Sequence, residues 1–329
     1  MKIVVDSAIP FIRGVLEPYA DVVYLRADSI DRAAVQCADA LIIRTRTQCN
    51  ANLLDGSNVH LIATATIGYD HIDLEYCAEH NIAVTTAAGC NAGGVLQWVA
   101  ASLRTLLDQW GAEPRGLKLG VVGVGNVGRL VEMHAAHWGF EVLCCDPPRA
   151  EREADKVFFS LEELLPQVDI LTLHTPLNIS TRELINIENI KLLQPHAAII
   201  NSSRGEVLSN DALHHAPAHP LLLDVWSNEP NIDRSILARS LVSTFHIAGY
   251  SLQGKANATA ISIGAVARYF DLPLEGWYPN GVEASHIALT SWGDLSGSYD
   301  IVGESMMLKS NPDSFEQLRT GYTFRNEVL

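Results

Sequence analysis

A glycine-rich segment has the residue types and spacing needed to bind a dinucleotide. Gly123, Gly125 and Gly128 form a G-x-G-x-x-G pattern between the apolar run KLGVV and a segment of helical periodicity, and Asn126 and Val127 lie inside it. The first glycine permits a tight turn, the second lets the backbone approach a pyrophosphate, and the third lets helix and strand pack closely. The pyrophosphate then lies at the N-terminus of a helix, where free N–H groups and the helix dipole favour an anion.

An acidic residue after the next apolar run indicates which dinucleotide is bound. Asp146 ends the run EVLCCD, where a carboxylate can accept hydrogen bonds from the ribose hydroxyls of the adenosine. The same carboxylate repels the 2′-phosphate of NADP, so we predict NAD as the cofactor. Arg149 is the nearby cation that could offset this repulsion.

A second group of polar residues follows the ends of three later apolar runs. Arg204 follows AAIINSS, Glu229 follows LLLDVW, and His246 ends VSTFHI. Ligand sites in doubly wound α/β sheets lie beyond the carboxyl ends of the strands, so these side chains are placed for chemistry. A single polar residue there is usually an ordinary surface group. Three of these types on successive strand ends, downstream of a dinucleotide pattern, indicate a catalytic site.

The elements that must position these residues follow from the hydrophobic pattern. Short apolar runs alternate with segments of helical periodicity, which predicts an α/β fold of two Rossmann-like lobes, each a doubly wound parallel sheet. A long helix is predicted from Gly93 to Trp110, because its apolar residues recur every three or four positions. The predicted strands are residues 2–6, 40–45, 61–66, 82–86, 118–125, 141–146, 169–175, 197–203, 221–226 and 242–247.

Composition and charge exclude several classes of protein. The chain has 329 residues, of which 48% are hydrophobic and 19% charged, which is typical of a globular protein of about two domains. A net charge of −15 argues against binding to nucleic acid or to an anionic membrane surface. No apolar stretch is long enough to span a membrane, and Asp6 interrupts the segment where a signal peptide would be apolar. The six cysteines form no C-x-x-C pair and the twelve histidines no zinc-type spacing, so we expect reduced thiols, no metal site and a cytoplasmic protein.

The order of the motifs resembles that of the D-isomer-specific 2-hydroxyacid dehydrogenase family. After the glycine pattern and Asp146 come H-T-P at 174–176, S-R-G at 203–205, D-V-W-x-x-E-P at 224–230 and H-I-A-G at 246–249. The resemblance implies that Arg204 pairs with the substrate carboxylate, that His246 exchanges the hydroxyl proton, and that Glu229 orients His246. It also implies that NAD is lined by Thr175, Ser202, Ser203, Asp224 and Gly249, with Asp224 facing the nicotinamide carboxamide.

Segments outside the nucleotide motifs narrow the resemblance within this family. They are residues 43–47, 65–73, 89–92, 145–149 and 246–255, together with the pattern S-F-x-x-L-R-x-x-Y at 314–322. They resemble members that oxidise 4-phospho-D-erythronate to 2-oxo-3-hydroxy-4-phosphobutanoate in pyridoxal 5′-phosphate biosynthesis. The substrate-pocket residues that the resemblance implies are Arg44, Thr45, Arg46, Thr66 and Tyr250. The two arginines point to one side of a strand end and could hold the phosphate, although an exposed arginine pair is equally common there.

The same resemblance divides the chain into three regions. Residues 1–92 and 255–280 form an outer, substrate-binding lobe, residues 93–254 an NAD-binding Rossmann domain, and residues 281–329 a C-terminal dimerisation region. We therefore expect a homodimer. The polar, mixed composition of the last region also fits a partly disordered tail.

Other functions remain open from the sequence. A dehydrogenase for another D-2-hydroxy acid, such as phosphoglycerate, glyoxylate or lactate, needs the same nucleotide motifs and differs at few positions. An NAD-sensing binding protein on the same fold would hold the cofactor with negligible turnover. Phe245, where the family usually has proline, and a segment shortened at 208–221 leave an inactive relative open as well.

Overall fold

The chain folds into two compact units, each built on one parallel sheet. The computed structural model describes residues 1–153, 155–216, 218–284, 287–295 and 299–329. Unit 1 comprises Met1–Asn91 and Ser251–Ser285, and unit 2 comprises Ala92–Tyr250 and His286–Leu329.

The bounds of the regular elements are as follows for the described residues. The strands are β1 Lys2–Asp6, β2 Asp21–Leu25, β3 Ala40–Ile43, β4 Leu61–Thr64, β5 Ala83–Thr86, β6 Lys118–Val122, β7 Glu141–Cys145, β8 Ile170–Leu173, β9 Ala198–Asn201, β10 Leu221–Leu223 and β11 Val242–Ser243. The helices are α1 Arg32–Val35, α2 Ala51–Leu54, α3 Leu74–Glu79, α4 Ala92–Trp110, α5 Asn126–Trp138, α6 Pro147–Ala150, α7 Leu161–Leu164, α8 Asn210–His215, α9 Arg234–Arg239, α10 Leu252–Phe270, α11 Ile301–Ser310 and α12 Phe315–Thr320.

Unit 1 is a parallel sheet with strand order β2-β1-β3-β4-β5. Its inner strands are apolar on both faces, as parallel sheets covered by helices on both sides require. In β1, Val4 packs into the cluster that includes α1, α2 and α3, whereas Ile3 and Val5 pack against Ile263 and Val266 of α10. The edge strand β2 was not predicted, because its residues are only partly buried and do not form a fully apolar run.

Unit 2 is a parallel sheet with strand order β11-β10-β9-β8-β6-β7. The chain passes from β6 outward to β7 and returns to β8 on the other side of β6. Such a reversal is the topological switch point at which α/β sheets bind ligands. The predicted fold class, two doubly wound parallel-sheet lobes, is confirmed. The predicted long helix is α4, whose residues Val95, Val99, Leu103 and Leu106 are buried.

The strands of unit 2 are shorter than the apolar runs predicted. The largest difference is at β11, which ends at Ser243, although the N–H groups of Thr244 and His246 still donate to the carbonyls of Leu223 and Asp224. The N–H groups of Ile247 and Ala248 bind the Asp224 side chain and not a neighbouring strand. Phe245 and Ile247 remain buried, so the apolar run reflects burial that continues beyond the end of the strand.

The described part of the C-terminal region packs onto unit 2. Leu308 of α11 and Phe315 of α12 are fully buried in the core cluster that also contains Phe245. The Oγ atom of Ser305 accepts a hydrogen bond of 2.9 Å from the N–H of Ser243, a donor on the edge strand β11. This region therefore covers the β11 edge of the sheet.

Three further predictions concern the cysteine thiols, membrane-spanning helices and metal sites. Cys49, Cys77, Cys90, Cys144 and Cys145 are buried and Cys37 is exposed, and none of these six described cysteines forms a disulfide. Burial raises the pKa of the Cys49 thiol to about 12 and that of Cys145 to about 11, which keeps both protonated. Within the described ranges, no helix is long and apolar enough to cross a membrane, and no cluster of His, Cys, Asp or Glu is arranged to hold a metal ion.

Candidate active site

A histidine–carboxylate pair lies beyond the ends of β10 and β11. His246 Nδ1 and Glu229 Oε2 are 2.8 Å apart, and both side chains are largely buried. The other carboxylate oxygen, Glu229 Oε1, accepts a hydrogen bond of 3.0 Å from the N–H of Trp226. An ionised carboxylate only accepts hydrogen bonds, so Nδ1 carries the proton and Nε2 has a lone pair. The pair is therefore arranged as a base with its orienting carboxylate.

The backbone at His246 is held in an unusual conformation. Its φ angle is 60°, in the left-handed region that non-glycine residues rarely adopt. The N–H of His246 donates to the Asp224 carbonyl at 2.8 Å, and the Asp224 carboxylate accepts from the N–H groups of Ile247 and Ala248 at 2.8 and 2.9 Å. Asp224 therefore fixes the loop that presents the imidazole.

A buried hydrogen-bond chain supports Asp224 in turn. The hydroxyl of Thr244 donates to Asp224 Oδ1 at 2.6 Å and accepts from the indole N–H of Trp98 in α4 at 2.9 Å. Asp224 is 1% exposed, and three of its acceptor positions are filled by the protein. Sequence reasoning missed Thr244 and Trp98, since neither stands out by type or spacing.

The electrostatic surroundings of Glu229 favour its ionised form. Burial by itself would raise the pKa of this carboxyl. His246 and its hydrogen bond, the nearby Arg319 guanidinium and the N–H of Trp226 outweigh burial and hold the pKa below its usual value. Glu229 is therefore a carboxylate at neutral pH and can stabilise an imidazolium at His246.

Arg204 lies on the loop after β9, whose shape is set by Asn201. The side-chain amide of Asn201 donates to the Arg204 carbonyl at 2.9 Å, and its oxygen accepts from the N–H and hydroxyl of Ser203 at 3.0 and 2.8 Å. A Cβ atom at Gly205 would lie 1.9 Å from the carbonyl carbon of Trp226. Only glycine therefore lets this loop lie against the loop that carries Glu229. The part that Asn201 plays in shaping this loop was not predicted.

The glycine pattern forms a cradle at the switch point between β6 and β8. Gly123 has a φ of 84°, and a Cβ atom there would lie 2.8 Å from the His174 carbonyl oxygen. A Cβ at Gly128 would lie 1.9 Å from the Gly123 carbonyl oxygen. At Gly125 a Cβ would meet no described atom within 4 Å. The first and third glycines are therefore needed for packing, whereas the second faces open space at the N-terminus of α5.

Asp146 and its neighbours lie beside this cradle. Its carboxylate accepts hydrogen bonds from the N–H groups of Val124 and Arg149 at 2.7 and 3.0 Å. The Arg149 guanidinium is held in a two-point ion pair by Glu153, at 2.7 and 2.6 Å, and donates to the Val124 carbonyl at 2.7 Å. The cation that could have attracted a 2′-phosphate is thus neutralised by a carboxylate four residues further along the chain.

Two hydroxyl groups near these loops lack partners within the protein. Among the described residues, the buried hydroxyls of Thr175 and Ser202 make no hydrogen bond. Buried polar groups are normally satisfied, so these two hydroxyls are available to bind a ligand at the strand ends. Both residues, and the open space at Gly125, fit a bound dinucleotide.

The predicted substrate residues of unit 1 lie at the carboxyl ends of β3 and β4. Arg44 forms an ion pair with Asp6 at the end of β1, with Nε 2.8 Å from Oδ2. Asp6 is fully buried, so it fixes the guanidinium of Arg44 and neutralises part of its charge. Thr45 and Arg46 are exposed. Sequence reasoning treated Asp6 only as an interruption of an apolar run and missed this role.

A hydroxyl network surrounds Thr66 in the same unit. The hydroxyls of Thr64 and Thr66 are 2.7 Å apart, and Thr64 Oγ1 lies 3.3 Å from Nε2 of the buried His71. Burial lowers the pKa of His71 and outweighs the opposite effect of Asp70, so the ring is neutral at physiological pH. The Thr66 side chain is therefore positioned by a hydrogen bond within unit 1.

The C-terminal region surrounds Tyr250, the last residue of the loop after His246. The Tyr250 ring contacts Tyr322 and Phe324 edge to face, each with centroids 6.2 Å apart, and the Arg319 guanidinium lies 6.0 Å from its centroid. Phe245 contacts Tyr322 in the same way at 6.1 Å. The phenylalanine that departs from the family pattern is thus packed against this region. The sequence singled out this segment only by resemblance.

Comparisons with known proteins find relatives in sequence and in fold. Residues 95–248 match the family model described as D-isomer specific 2-hydroxyacid dehydrogenase, NAD binding domain. An erythronate-4-phosphate dehydrogenase of Bacteroides thetaiotaomicron is 42% identical, covering 99% of this chain and 97% of the relative. One of Porphyromonas gingivalis is 36% identical, covering 100% and 94%. A solved NAD⁺-bound 3-phosphoglycerate dehydrogenase of Entamoeba histolytica has the same fold, with a TM-score of 0.70 at 24% identity over 84% of this chain and 98% of that chain.

Proposed function

Because this chain belongs to the D-isomer-specific 2-hydroxyacid dehydrogenase family, and within it to the erythronate-4-phosphate dehydrogenases, we propose that it oxidises 4-phospho-D-erythronate with NAD. The product is 2-oxo-3-hydroxy-4-phosphobutanoate. This oxidation is a step of pyridoxal 5′-phosphate biosynthesis. The observation that carries the proposal is the 2.8 Å pair of His246 and Glu229, which leaves one ring nitrogen for a substrate hydroxyl.

Proton transfer is the task of His246 in this proposal. When bound, NAD supplies the acceptor for the hydride that leaves carbon 2. His246 Nε2 accepts the proton of the 2-hydroxyl in the same step, and the imidazolium formed is stabilised by Glu229 through Nδ1–H. In the reverse direction the imidazolium returns the proton to the oxygen at carbon 2.

Arg204 binds the substrate carboxylate in this mechanism. A guanidinium presents two parallel N–H groups, which suit a carboxylate and also polarise the adjacent oxygen at carbon 2. The contact of Gly205 with the Trp226 backbone holds the Arg204 loop beside the loop of Glu229. In this proposal Arg204, after β9, binds the carboxylate, and His246, after β11, transfers the proton, while Glu229 follows β10, the strand between them.

The cofactor contacts follow the family pattern and the cradle described above. Residues assigned to NAD are Gly123, Gly125, Asn126, Val127, Gly128, Asp146, Thr175, Ser202, Ser203, Asp224 and Gly249. Support comes from the unpaired hydroxyls of Thr175 and Ser202 and from the ion pair that neutralises Arg149. The buried Asp224 has a structural task in addition, since its carboxylate holds the loop after His246.

The remaining contacts with the substrate are assigned to Arg44, Thr45, Arg46, Thr66 and Tyr250. We place the phosphate at the two arginines. Because Asp6 holds the Arg44 side chain, Arg44 acts as an oriented hydrogen-bond donor and Arg46 supplies additional positive charge. The global charge of −15 makes such a local cationic pair necessary for an anionic substrate.

The reaction is tested by following NADH formation with 4-phospho-D-erythronate, 3-phosphoglycerate and unphosphorylated D-erythronate. A parallel assay adds 2-oxoglutarate as an acceptor, because tightly held NADH would hide turnover. We expect selective oxidation of 4-phospho-D-erythronate and a loss of kcat/KM of about 10²–10⁴-fold in His246→Ala. Arg204→Ala should lose activity, and Arg182→Ala, at an exposed loop arginine, should retain it.

Other outcomes assign the chain differently. Equal or better oxidation of 3-phosphoglycerate would make it a dehydrogenase for another D-2-hydroxy acid. No turnover of any substrate, with NADH still bound, would favour an NAD-sensing protein.

The proposal includes a cytoplasmic homodimer formed through the C-terminal region. Val302, Met306 and Met307 of α11 are 48%, 62% and 52% exposed, and Val302 and Met306 lie one helical turn apart. An apolar helix face of this kind is suited to contact a second copy. Sedimentation of the wild type and of Met306→Glu tests it: a dimer is expected for the first and dissociation for the second. A wild-type monomer would contradict this part of the proposal.

A further inference from the structure

The C-terminal region places a partly buried cation beside the histidine–carboxylate pair. Arg319 of α12 has Nη1 3.8 Å from Glu229 Oε2, the same oxygen that lies 2.8 Å from His246 Nδ1. The Arg319 side chain is 24% exposed. A distance of 3.8 Å exceeds that of a hydrogen bond, so Arg319 acts on Glu229 through its charge and leaves the short hydrogen bond to His246.

The position of Arg319 is not that of an ordinary surface ion pair. Its Nε is buried and, in the described part of the chain, has no hydrogen-bond partner, which by itself destabilises the folded state. Its neighbours are the Tyr250 ring and the Glu316 carboxylate, whose Oε1 is 3.9 Å from Nη1. Local violations of polar satisfaction concentrate at functional sites, where another property depends on the group.

We propose that Arg319 is a positioning residue for proton transfer: it shares the Glu229 carboxylate with His246 and so limits how strongly that carboxylate favours the imidazolium. This inference rests on the proposed role of His246 as base. Arg319 touches Glu229 and not the reacting atoms, so its effect passes through the carboxylate.

The direction of the effect follows from the charges that face the pair. Arg319 on α12 and the N–H of Trp226, on the loop after β10, act on Glu229 directly. Glu316 on α12 and Tyr250, on the loop after β11, lie beside Arg319. Burial acts to lower the pKa of Arg319, but Tyr250, Glu229 and Glu316 hold it above its usual value, so the guanidinium is protonated. Removing this cation leaves the full carboxylate charge acting on His246. The imidazolium becomes more stable, and the neutral base that oxidation needs becomes scarcer at neutral pH.

The decisive measurement is the pH titration of His246 by NMR in the full-length protein, with and without NADH. The His246 signal is identified by its loss in His246→Gln. In Arg319→Met we expect the pKa of His246 to rise by about 1 unit. Arg319→Lys, which keeps the charge, should restore most of the wild-type value. Arg319→Gln, which keeps N–H donors without the charge, is the second neutral variant if the methionine variant does not fold.

The matched control is Arg234→Met. Arg234 pairs with Asp313 of the same C-terminal region at 2.6 Å, but both side chains are exposed, at 46% and 91%. This variant removes an arginine from the region without changing the charge at Glu229, so the titration of His246 should match that of the wild type.

Kinetics supply the second readout. The acid limb of kcat/KM for oxidation should move to higher pH in Arg319→Met by the same amount as the NMR titration, with the plateau at high pH and the KM there unchanged. A pKa of His246 that stays constant or falls in a folded neutral variant overturns the inference. A pH-independent loss with raised KM would assign Arg319 to substrate binding and overturns it as well. Absence of turnover in the wild type would contradict the proposed function alone, since the NMR titration needs no substrate.

Discussion

The guanidinium of Arg325 donates a hydrogen bond of 2.9 Å to the main-chain carbonyl of Ile247, the residue directly after His246. Arg325 also donates to the carbonyl oxygens of Ala248 and, in α4, of Gly94, the latter at 2.9 Å. A planar guanidinium can make several such contacts at fixed angles. Arg325 therefore joins the loop that carries the imidazole to the start of α4.

The first prediction concerns Arg325. Arg325→Met leaves buried carbonyl groups without a donor, so we expect the free energy of unfolding to fall by about 3 kcal/mol or more. Arg325→Lys should recover only part of it, because an ammonium lacks the planar arrangement of donors. Denaturant unfolding and kcat/KM measure both effects. Arg115→Met, at an exposed arginine, is the control, and equal stability of the Arg325 and Arg115 variants would contradict the role described here.

Substitutions in the glycine cradle should affect NAD affinity and the free energy of unfolding differently, depending on which glycine is changed. Gly125→Ala adds a methyl group in open space, so unfolding of the apo protein should change by no more than about 0.5 kcal/mol, while NAD binding weakens about tenfold or more. Gly128→Ala drives a Cβ into the Gly123 carbonyl and should destabilise the apo protein by about 1–3 kcal/mol. Calorimetric NAD titration and chemical unfolding of both variants check this. Unchanged NAD affinity in Gly125→Ala would place the dinucleotide elsewhere.

The ion pair of Arg149 and Glu153 predicts how cofactor preference can be changed. Glu153→Gln removes the carboxylate that neutralises Arg149, so affinity for NADPH should rise several-fold while affinity for NADH changes little. The measurement is fluorescence titration with both cofactors. Glu151→Gln changes the same charge at a neighbouring exposed position and should leave the preference as in the wild type. If both variants behave alike, the ion pair does not control cofactor preference.

The pH dependence of stability follows from Glu229. Its pKa is lower in the folded state than in the unfolded chain, so its ionised form stabilises the fold above the unfolded pKa, and this contribution is lost as the pH falls through the folded pKa. The difference in unfolding free energy between the wild type and Glu229→Gln should therefore be largest near neutral pH and should shrink below about pH 4.5.

Urea unfolding at a series of pH values measures this difference. Glu162→Gln, at an exposed glutamate, should show only a small difference from the wild type at every pH. A constant gap between the wild type and Glu229→Gln from neutral to acid pH would show that the lowered pKa contributes nothing to stability.

Local patterns in the sequence were enough to determine the fold class and the nucleotide motif. Continuous apolar runs indicate parallel strands covered on both faces, and the glycine spacing indicates a turn at a helix N-terminus. Glu229 and His246 could be paired by resemblance, and the structure places Nδ1 and Oε2 2.8 Å apart. These features are encoded within a few residues of each other or at the ends of recognisable strands.

Tertiary structure alone decided which charges and hydrogen bonds surround the site. Arg44 is held by Asp6, Glu229 is approached by Arg319, and Arg325 binds the carbonyl of Ile247, in each case across a long stretch of chain. Such pairs have no period and no spacing rule, because they depend on how separate elements pack. The same holds for the loop after β11, where the N–H groups of Ile247 and Ala248 bind the Asp224 carboxylate, an arrangement that an apolar run cannot reveal.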